Sequence, residues 1–352
     1  MNTETLSIAD LTENMVVYRD LQPCDARLPA IGELRDELGL PAELLPRKRD
    51  PQYARVLLAL ANRALALAGK GAAEALLVIG DTDNDRRLAA HLRETSRLPV
   101  PAFIGVDRLD EIKSYVYEGD TVFANRWELL ERWLQELDAR SLPWPATVVL
   151  IDIDKTLLGP RGRNDGPVDE SRADGAVQVA HELLGAALDE TAFRQTYAEL
   201  CRKEYHAMTL DNQDLTVYSS LLLASNTLSL AELRAGIESG ELADFLRVLD
   251  VTRTNVPAAL VELHTAIGRA YAAGDPTPFK QFRRAEYAAA VARMRDGRLA
   301  LCREVVAIAR KLLSRGALCM AASDKPSEAS LPDANQAAAG MLPLHQTPAV
   351  LL

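Results

Sequence analysis

Three short apolar runs in this chain each stop at a cluster of small, oxygen-rich residues, and this pattern limits the fold more than any other feature. Ala75-Leu-Leu-Val-Ile79 stops at Gly80-Asp-Thr-Asp-Asn-Asp85. Thr147-Val-Val-Leu-Ile151 stops at Asp152-Ile-Asp-Lys-Thr156, and Ala317-Leu-Cys-Met-Ala-Ala322 at Ser323-Asp-Lys325. Apolar runs of this length, without polar alternation, suit strands buried on both faces of a parallel sheet. Ligands of such sheets bind at the carboxyl ends of the strands. If the three strands share one sheet, the three clusters converge there.

The segments between the runs complete an α/β pattern. Asp50 and Pro51 read as an N-cap and a first-turn proline, opening a helix over 52–68 that Gly69 and Gly71 end. A short helix over 86–93 leads to a second apolar run, Val100 to Val106, so strand, helix and strand follow one another. Residues 107–145 read as a connecting region. Its clearest element is an amphipathic helix carrying Trp127, Leu130, Leu134 and Leu137 on one core-facing stripe, and Ser141 to Pro145 form a stiff linker.

Beyond a Gly/Arg-rich loop, 159–166, the pattern is helical. Phe193, Tyr197, Leu200 and Cys201 share a helix face, Ser229 and Glu232 have capping-box spacing, and no strand is expected between 170 and 298. The α/β pattern returns with a helix over 299–314 and the third apolar run, and the apolar tail, 341–352, is a candidate for a last strand. The expected division is therefore a first core part (1–166), an all-helical segment (167–298) and a second core part (299–352).

Composition narrows the function. The 352 residues are 48% hydrophobic and 26% charged, enough to build a core. The formal net charge of −10 argues against nucleic-acid partners, which require Lys and Arg to displace counterions. It leaves room for a small anionic substrate held by a few local cations. Cys24, Cys201, Cys302 and Cys319 lack metal-ligand spacing and read as reduced, mostly buried thiols. No secretory leader and no membrane-length apolar run is seen, so a cytoplasmic protein is expected, with homo-oligomerisation left open.

Asp152 and Asp154, alternate residues just past a strand, suit phosphoryl chemistry. One carboxylate can attack phosphorus, and the other can protonate the leaving oxygen and then activate water. Clustered carboxylates repel, so a hard cation such as Mg²⁺ is their natural neutraliser. Asp81 and Asp85 add carboxylates to that metal set, while Thr156, Ser323 and a lysine are candidates to bind phosphoryl oxygens. The Asp81-to-Asp85 run does not fit a calcium loop, because Arg86 stands at the sixth position in place of Gly and Leu92 at the twelfth in place of Glu.

These motifs resemble those of the haloacid dehalogenase (HAD) superfamily. Val148 to Leu158 resembles its first motif, a strand followed by DxDxT, and Ser323 resembles the second. Gly80 to Asp85 resembles the fourth, GDxxxD, and Lys48 sits where the third motif's lysine belongs, with Lys325 as competitor. The resemblance implies a Rossmann-like core, Mg²⁺, Asp152 as nucleophile, Asp154 as general acid/base, and Asp152, Asp154, Asp81 and Asp85 at the metal.

The order of the motifs departs from the family: third, fourth, first, second, as a circular permutation would produce. The helical segment then falls between the first and second motifs, where family members carry a substrate-selecting cap. Arg161, Arg163 and Asn164, after the nucleophile loop, are candidate contacts to an anionic substrate, and His206 and Asp211 are candidates from the helical segment. The expected activity is Mg²⁺-dependent hydrolysis of a small phosphorylated metabolite through an aspartyl-phosphate. The alternatives are a phosphotransferase or phosphomutase of the same fold, and a non-catalytic phosphate- or metal-binding protein.

Overall fold

A computed structural model of the chain describes residues 4–352. It divides into two compact units, Met1–Asp169 with Ala290–Leu352, and Glu170–Ala289.

The first unit is built on a seven-stranded, mostly parallel sheet. In chain order the strands of this unit are β1 (Thr5–Leu6), β2 (Val16–Val17), β3 (Ala75–Gly80), β4 (Ala102–Gly105), β5 (Tyr115–Glu118), β6 (Thr121–Ala124), β7 (Thr147–Ile151), β8 (Leu318–Ala322) and β9 (Ala349–Val350). The sheet order is β2-β8-β7-β3-β4-β6-β5, with only β5 antiparallel to its neighbour. The architecture is α/β and compatible with a Rossmann-like core. Every residue of β3, β7 and β8 is buried, which accounts for their unbroken apolar sequences.

Alternate residues feed two apolar layers. Leu76, Val78, Val148, Leu150, Leu318 and Met320 pack with Tyr53, Leu57, Leu60 and Leu88 of the helices Pro51–Leu67 and Asp83–Ser96. Elsewhere Phe103 of β4 meets Trp127 and Trp133 at ring-centroid distances of 6.3 and 5.8 Å, and Trp133 lies on the helix Leu130–Asp138. Each such large side chain contributes about 1.5–3 kcal/mol by leaving water.

Residues 107–145 are more than a connection. They supply β5 and β6, a hairpin turning at Gly119 (φ +59°) and extending the sheet beyond β4. The tail does form a strand, but β9 pairs antiparallel with β1 in a separate two-stranded sheet. The helix expected from 299 begins at Arg303, because Leu301 is held in bridges to Leu158 and Leu351. Cys302 and Cys319 are buried, whereas Cys24 and Cys201 are half-buried, and none of the four is in a disulfide.

The second unit is helical throughout, from the Gly166–Leu184 helix to the Lys280–Arg295 helix. Its core gathers Phe193, Tyr197, Tyr218, Leu221, Phe245 and Phe279. The capping box of Ser229 and Glu232 forms as the spacing predicts, and Gly240 ends that helix in a left-handed conformation. Inside this core the buried Arg283 guanidinium bonds Asp214 (2.6 and 2.7 Å) and Glu286 (2.8 Å), so each buried charge has an opposite partner. Among the described residues no helix is long and apolar enough to cross a membrane.

Candidate functional site

The sheet's connectivity reverses direction between β3 and β7. From β3 the chain steps outward through β4 to β6 and β5, whereas β7 returns to the other side of β3 and is followed outward by β8. Such a switch point opens a crevice at the carboxyl ends of its strands. The register brings the polar clusters level there: Ile79 pairs with Ile151, and Ile151 with Ala321. Asp152 N continues the ladder by donating to Ile79 O at 2.9 Å.

Past β7 the chain closes on itself. Leu157 N donates to Asp152 O, Leu158 N to Ile153 O, and Lys155, at φ +67°, both donates to Leu158 O and accepts from Arg161 N. Thr156 is fully buried, and its hydroxyl donates to Asp81 Oδ1 at 3.2 Å. The turn thus holds Asp152 beside the acidic residues that follow β3.

Three carboxylates, Asp81, Asp85 and Asp152, offer oxygens all within 4.8 Å of one another. Lys48 Nζ donates to Asp152 Oδ1 at 2.5 Å and to Asp85 Oδ1 at 2.8 Å, and its whole residue is 3% exposed. Burial alone would lower the lysine's pKa, but Asp152 and Asp85 outweigh it and hold the ammonium well above its ordinary range. Burial, reinforced by Asp85 and Asp81 against the pull of Lys48, pushes the Asp152 carboxyl well up. Asp81 is pushed up to about 6 by burial and by Asp85, with Arg161 opposing. Both shifts come first from burial and then from the neighbouring carboxylates, with the site's cations opposing them.

The three carboxylates are not equivalent. Asp85 Oδ2 accepts from the backbone N–H of Asp81 and Thr82 and from the Thr82 hydroxyl at 2.8–3.2 Å, while its Oδ1 holds Lys48. Asp85 therefore caps its helix and positions the lysine, whereas each Asp81 oxygen takes a single side-chain donor, Thr156 or Arg161, and Asp152 takes Lys48 on Oδ1, which leaves these two the better placed carboxylates for a cation once Arg161 is displaced. The Thr82-x-x-Asp85 spacing carries that capping signal in the sequence. An all-oxygen, anionic donor set of this kind suits a hard divalent ion.

The remaining candidates separate by position. Asp154, whose side chain is 22% exposed, has its Oδ1 3.8 Å from Lys325 Nζ and lies outside the carboxylate trio. Ser323 is buried after β8, its N–H on Val17 O, and its hydroxyl oxygen accepts from Lys325 N at 3.2 Å. Asp324 ties this turn to the lysine segment by accepting from Lys48 N at 3.2 Å. Lys48, and not Lys325, is the lysine bonded to Asp152.

Arg161 Nε donates to Asp81 Oδ2. Arg163 is engaged by Asp107 (2.7 Å) and Glu304 (2.9 Å), and Asn164 bonds the backbone at Arg298 and Ala300, so both fasten the loop in place. His206 and Asp211 lie in the helical unit, Nε2 to Oδ1 at 3.5 Å. Arg19 and Tyr53 went unread in the sequence: Arg19 Nε donates to Asp324 O at 2.7 Å, and Tyr53 is buried close enough to Lys48 for the two to interact electrostatically. Neither belongs to a motif, and only the fold brings them here.

Fold and site together define a parallel α/β protein with an aspartate–lysine centre at the sheet's switch point. No family model, no curated protein and no solved structure matches the chain.

Proposed function

We propose that the chain is a magnesium-dependent phosphohydrolase of the HAD type, circularly permuted, with Asp152 as nucleophile. The observation that carries this reading is the Lys48 bridge between Asp152 and Asp85. It joins three segments far apart in sequence in the relation that the first, third and fourth motifs imply.

Asp81 and Asp152 would hold the cation, which would neutralise them and draw charge from the phosphoryl oxygens. Asp152 attacks phosphorus and forms an aspartyl-phosphate as the ester oxygen departs. Asp154, the more exposed carboxyl, gives that oxygen a proton and then takes one from the water that hydrolyses the acyl phosphate. Lys48 fixes the rotamer of Asp152, and the Ser323 hydroxyl, set by Lys325 N–H, donates to a phosphoryl oxygen.

The pairing of β1 with β9 supports the permutation, because it sets the first and last strands side by side. The all-helical segment between Asp152 and Ser323 in the sequence supports a substrate-selecting cap, and the substrate class is a small phosphorylated metabolite, held by local cations in an otherwise acidic chain.

The test is hydrolysis of a generic aryl phosphate with Mg²⁺ and with chelator, beside Asp152→Asn. Turnover is expected with Mg²⁺, abolished by chelator and reduced at least about a thousandfold in the variant. Full activity in Asp152→Asn would refute the assignment of the nucleophile. With no turnover in the wild-type protein, absence of a beryllofluoride adduct on Asp152 would leave a binding function.

A further inference from the structure

Arg161 is held differently from the other arginine of its loop. Arg163 is divided between two carboxylates away from the trio, whereas Arg161 Nε donates to Oδ2 of Asp81, itself a member of the trio. The Asp81 side chain is 2% exposed and that of Arg161 is 35% exposed, so the guanidinium reaches from solvent into the buried centre. Asp81 has little to spare for a second cation, since its Oδ1 already accepts from Thr156.

The backbone under Arg161 is fixed. Its N–H donates to Lys155 O at 2.8 Å, and its carbonyl accepts from Asp107 N at 2.9 Å and from the Trp127 indole at 3.2 Å. Gly162 follows at φ +81°, where a Cβ would stand 1.9 Å from Asp107 O. The loop cannot slide, but the long, half-exposed side chain can rotate about its own bonds.

From this geometry we infer that Arg161 is a substrate-binding residue that exchanges partners. It occupies Asp81 Oδ2 until a divalent cation takes that oxygen, and the released guanidinium then binds the phosphoryl group of the substrate. The inference rests on the metal reading given above and adds a coupling: cation binding creates the anion site. A planar guanidinium binds carboxylate and phosphate oxygens through the same donors, so the exchange needs no new chemistry. Because such coupling is reciprocal, phosphate must strengthen cation binding by the same factor.

The experiment is calorimetric titration of Mg²⁺ into the full chain and into Arg161→Gln, followed by inorganic phosphate titrated into each with and without Mg²⁺. Removing the competitor is expected to tighten Mg²⁺ binding about fivefold or more. In the wild-type protein Mg²⁺ should raise phosphate affinity by at least a similar factor, and in Arg161→Gln that gain should shrink to what the cation's own attraction for phosphate supplies. Arg161→Lys, which keeps the charge, should retain part of it and covers the case in which the glutamine variant fails to fold. Equal or weaker Mg²⁺ binding by Arg161→Gln overturns the exchange and leaves the metal reading standing. No Mg²⁺ binding by the wild-type protein overturns both.

Discussion

At the scale of single residues, Lys48 is the group on which the centre depends. Three carboxylates packed within 4.8 Å would repel strongly in a low-dielectric interior, and the buried ammonium offsets two of them at 2.5 and 2.8 Å. Removing one member of a buried ionic group leaves its partners uncompensated, which costs about 3–5 kcal/mol. Lys48→Met, unfolded by urea in chelator, is expected to lose that much stability. Adding Asp152→Asn to it should recover a substantial part, since the second change removes the stranded charge. A loss under about 1 kcal/mol for Lys48→Met would mean that the lysine does not neutralise the site.

The sequence made most of these residues legible because phosphoryl chemistry uses few side-chain types at short spacings. It did not show which oxygen each carboxylate has to spare. Asp85 reads as one more metal ligand, yet three donors from its own turn take its Oδ2. Arg161 and Arg163 look alike two residues apart, and only the folded loop turns one toward Asp81 and the other toward Glu304.

At the scale of elements, the three apolar runs are the strands at the centre of the sheet, and they were legible because full burial demands unbroken apolar sequence. The β5–β6 hairpin is hard to read from the sequence for the opposite reason. It stands at the sheet edge, and Tyr115-Val-Tyr-Glu118 is mostly exposed. The signal was present as Gly119-Asp120 between two aromatic and β-branched runs, a two-residue hairpin turn. The two-residue strands β1, β2 and β9 are too short for any periodicity to register.

The turn between β3 and its following helix makes a prediction of its own. Gly80 ends β3 with Asp85 folded back against it, and a Cβ there would lie 2.2 Å from Asp85 Cγ. Gly80→Ala is expected to push Asp85 away from Lys48, cost about 1–3 kcal/mol as an overpacked site does, and lower aryl phosphatase activity with it. Gly119→Ala, in open space at φ +59°, should cost only about 1–2 kcal/mol of left-handed backbone strain and leave activity intact. Equal activity and melting of Gly80→Ala and wild type would show that the turn tolerates the extra atom and that Asp85 is not held by it.

At the scale of the whole molecule, the motif order and the strand order fit together once the chain is read as a rotated cycle. Starting at β7, the sequence runs through the helical unit to β8, then across the β9–β1 pairing to β2, Lys48, β3 and β4. Leu351 N donates to Glu4 O at 3.2 Å and Gln346 Nε2 to Asn14 Oδ1 at 3.0 Å, so the segments joined by that step already touch. The rotation therefore makes a construction prediction. Leu352 is linked to Met1 through about six Gly/Ser residues, a flexible spacer, and the chain is opened between Asp110 and Glu111. Both of these residues are exposed, in a loop of the kind that tolerates new ends. The rearranged protein carries the motifs in the order first, second, third, fourth. It is expected to keep the circular dichroism spectrum, to melt within a few degrees of the original, and to retain Mg²⁺-dependent aryl phosphatase activity. A rearranged chain that collapses into aggregates, while the original folds reversibly under the same conditions, would count against the permuted reading. It would mean that the two α/β halves depend on their present connectivity, and that the resemblance in motif order is local to each strand end.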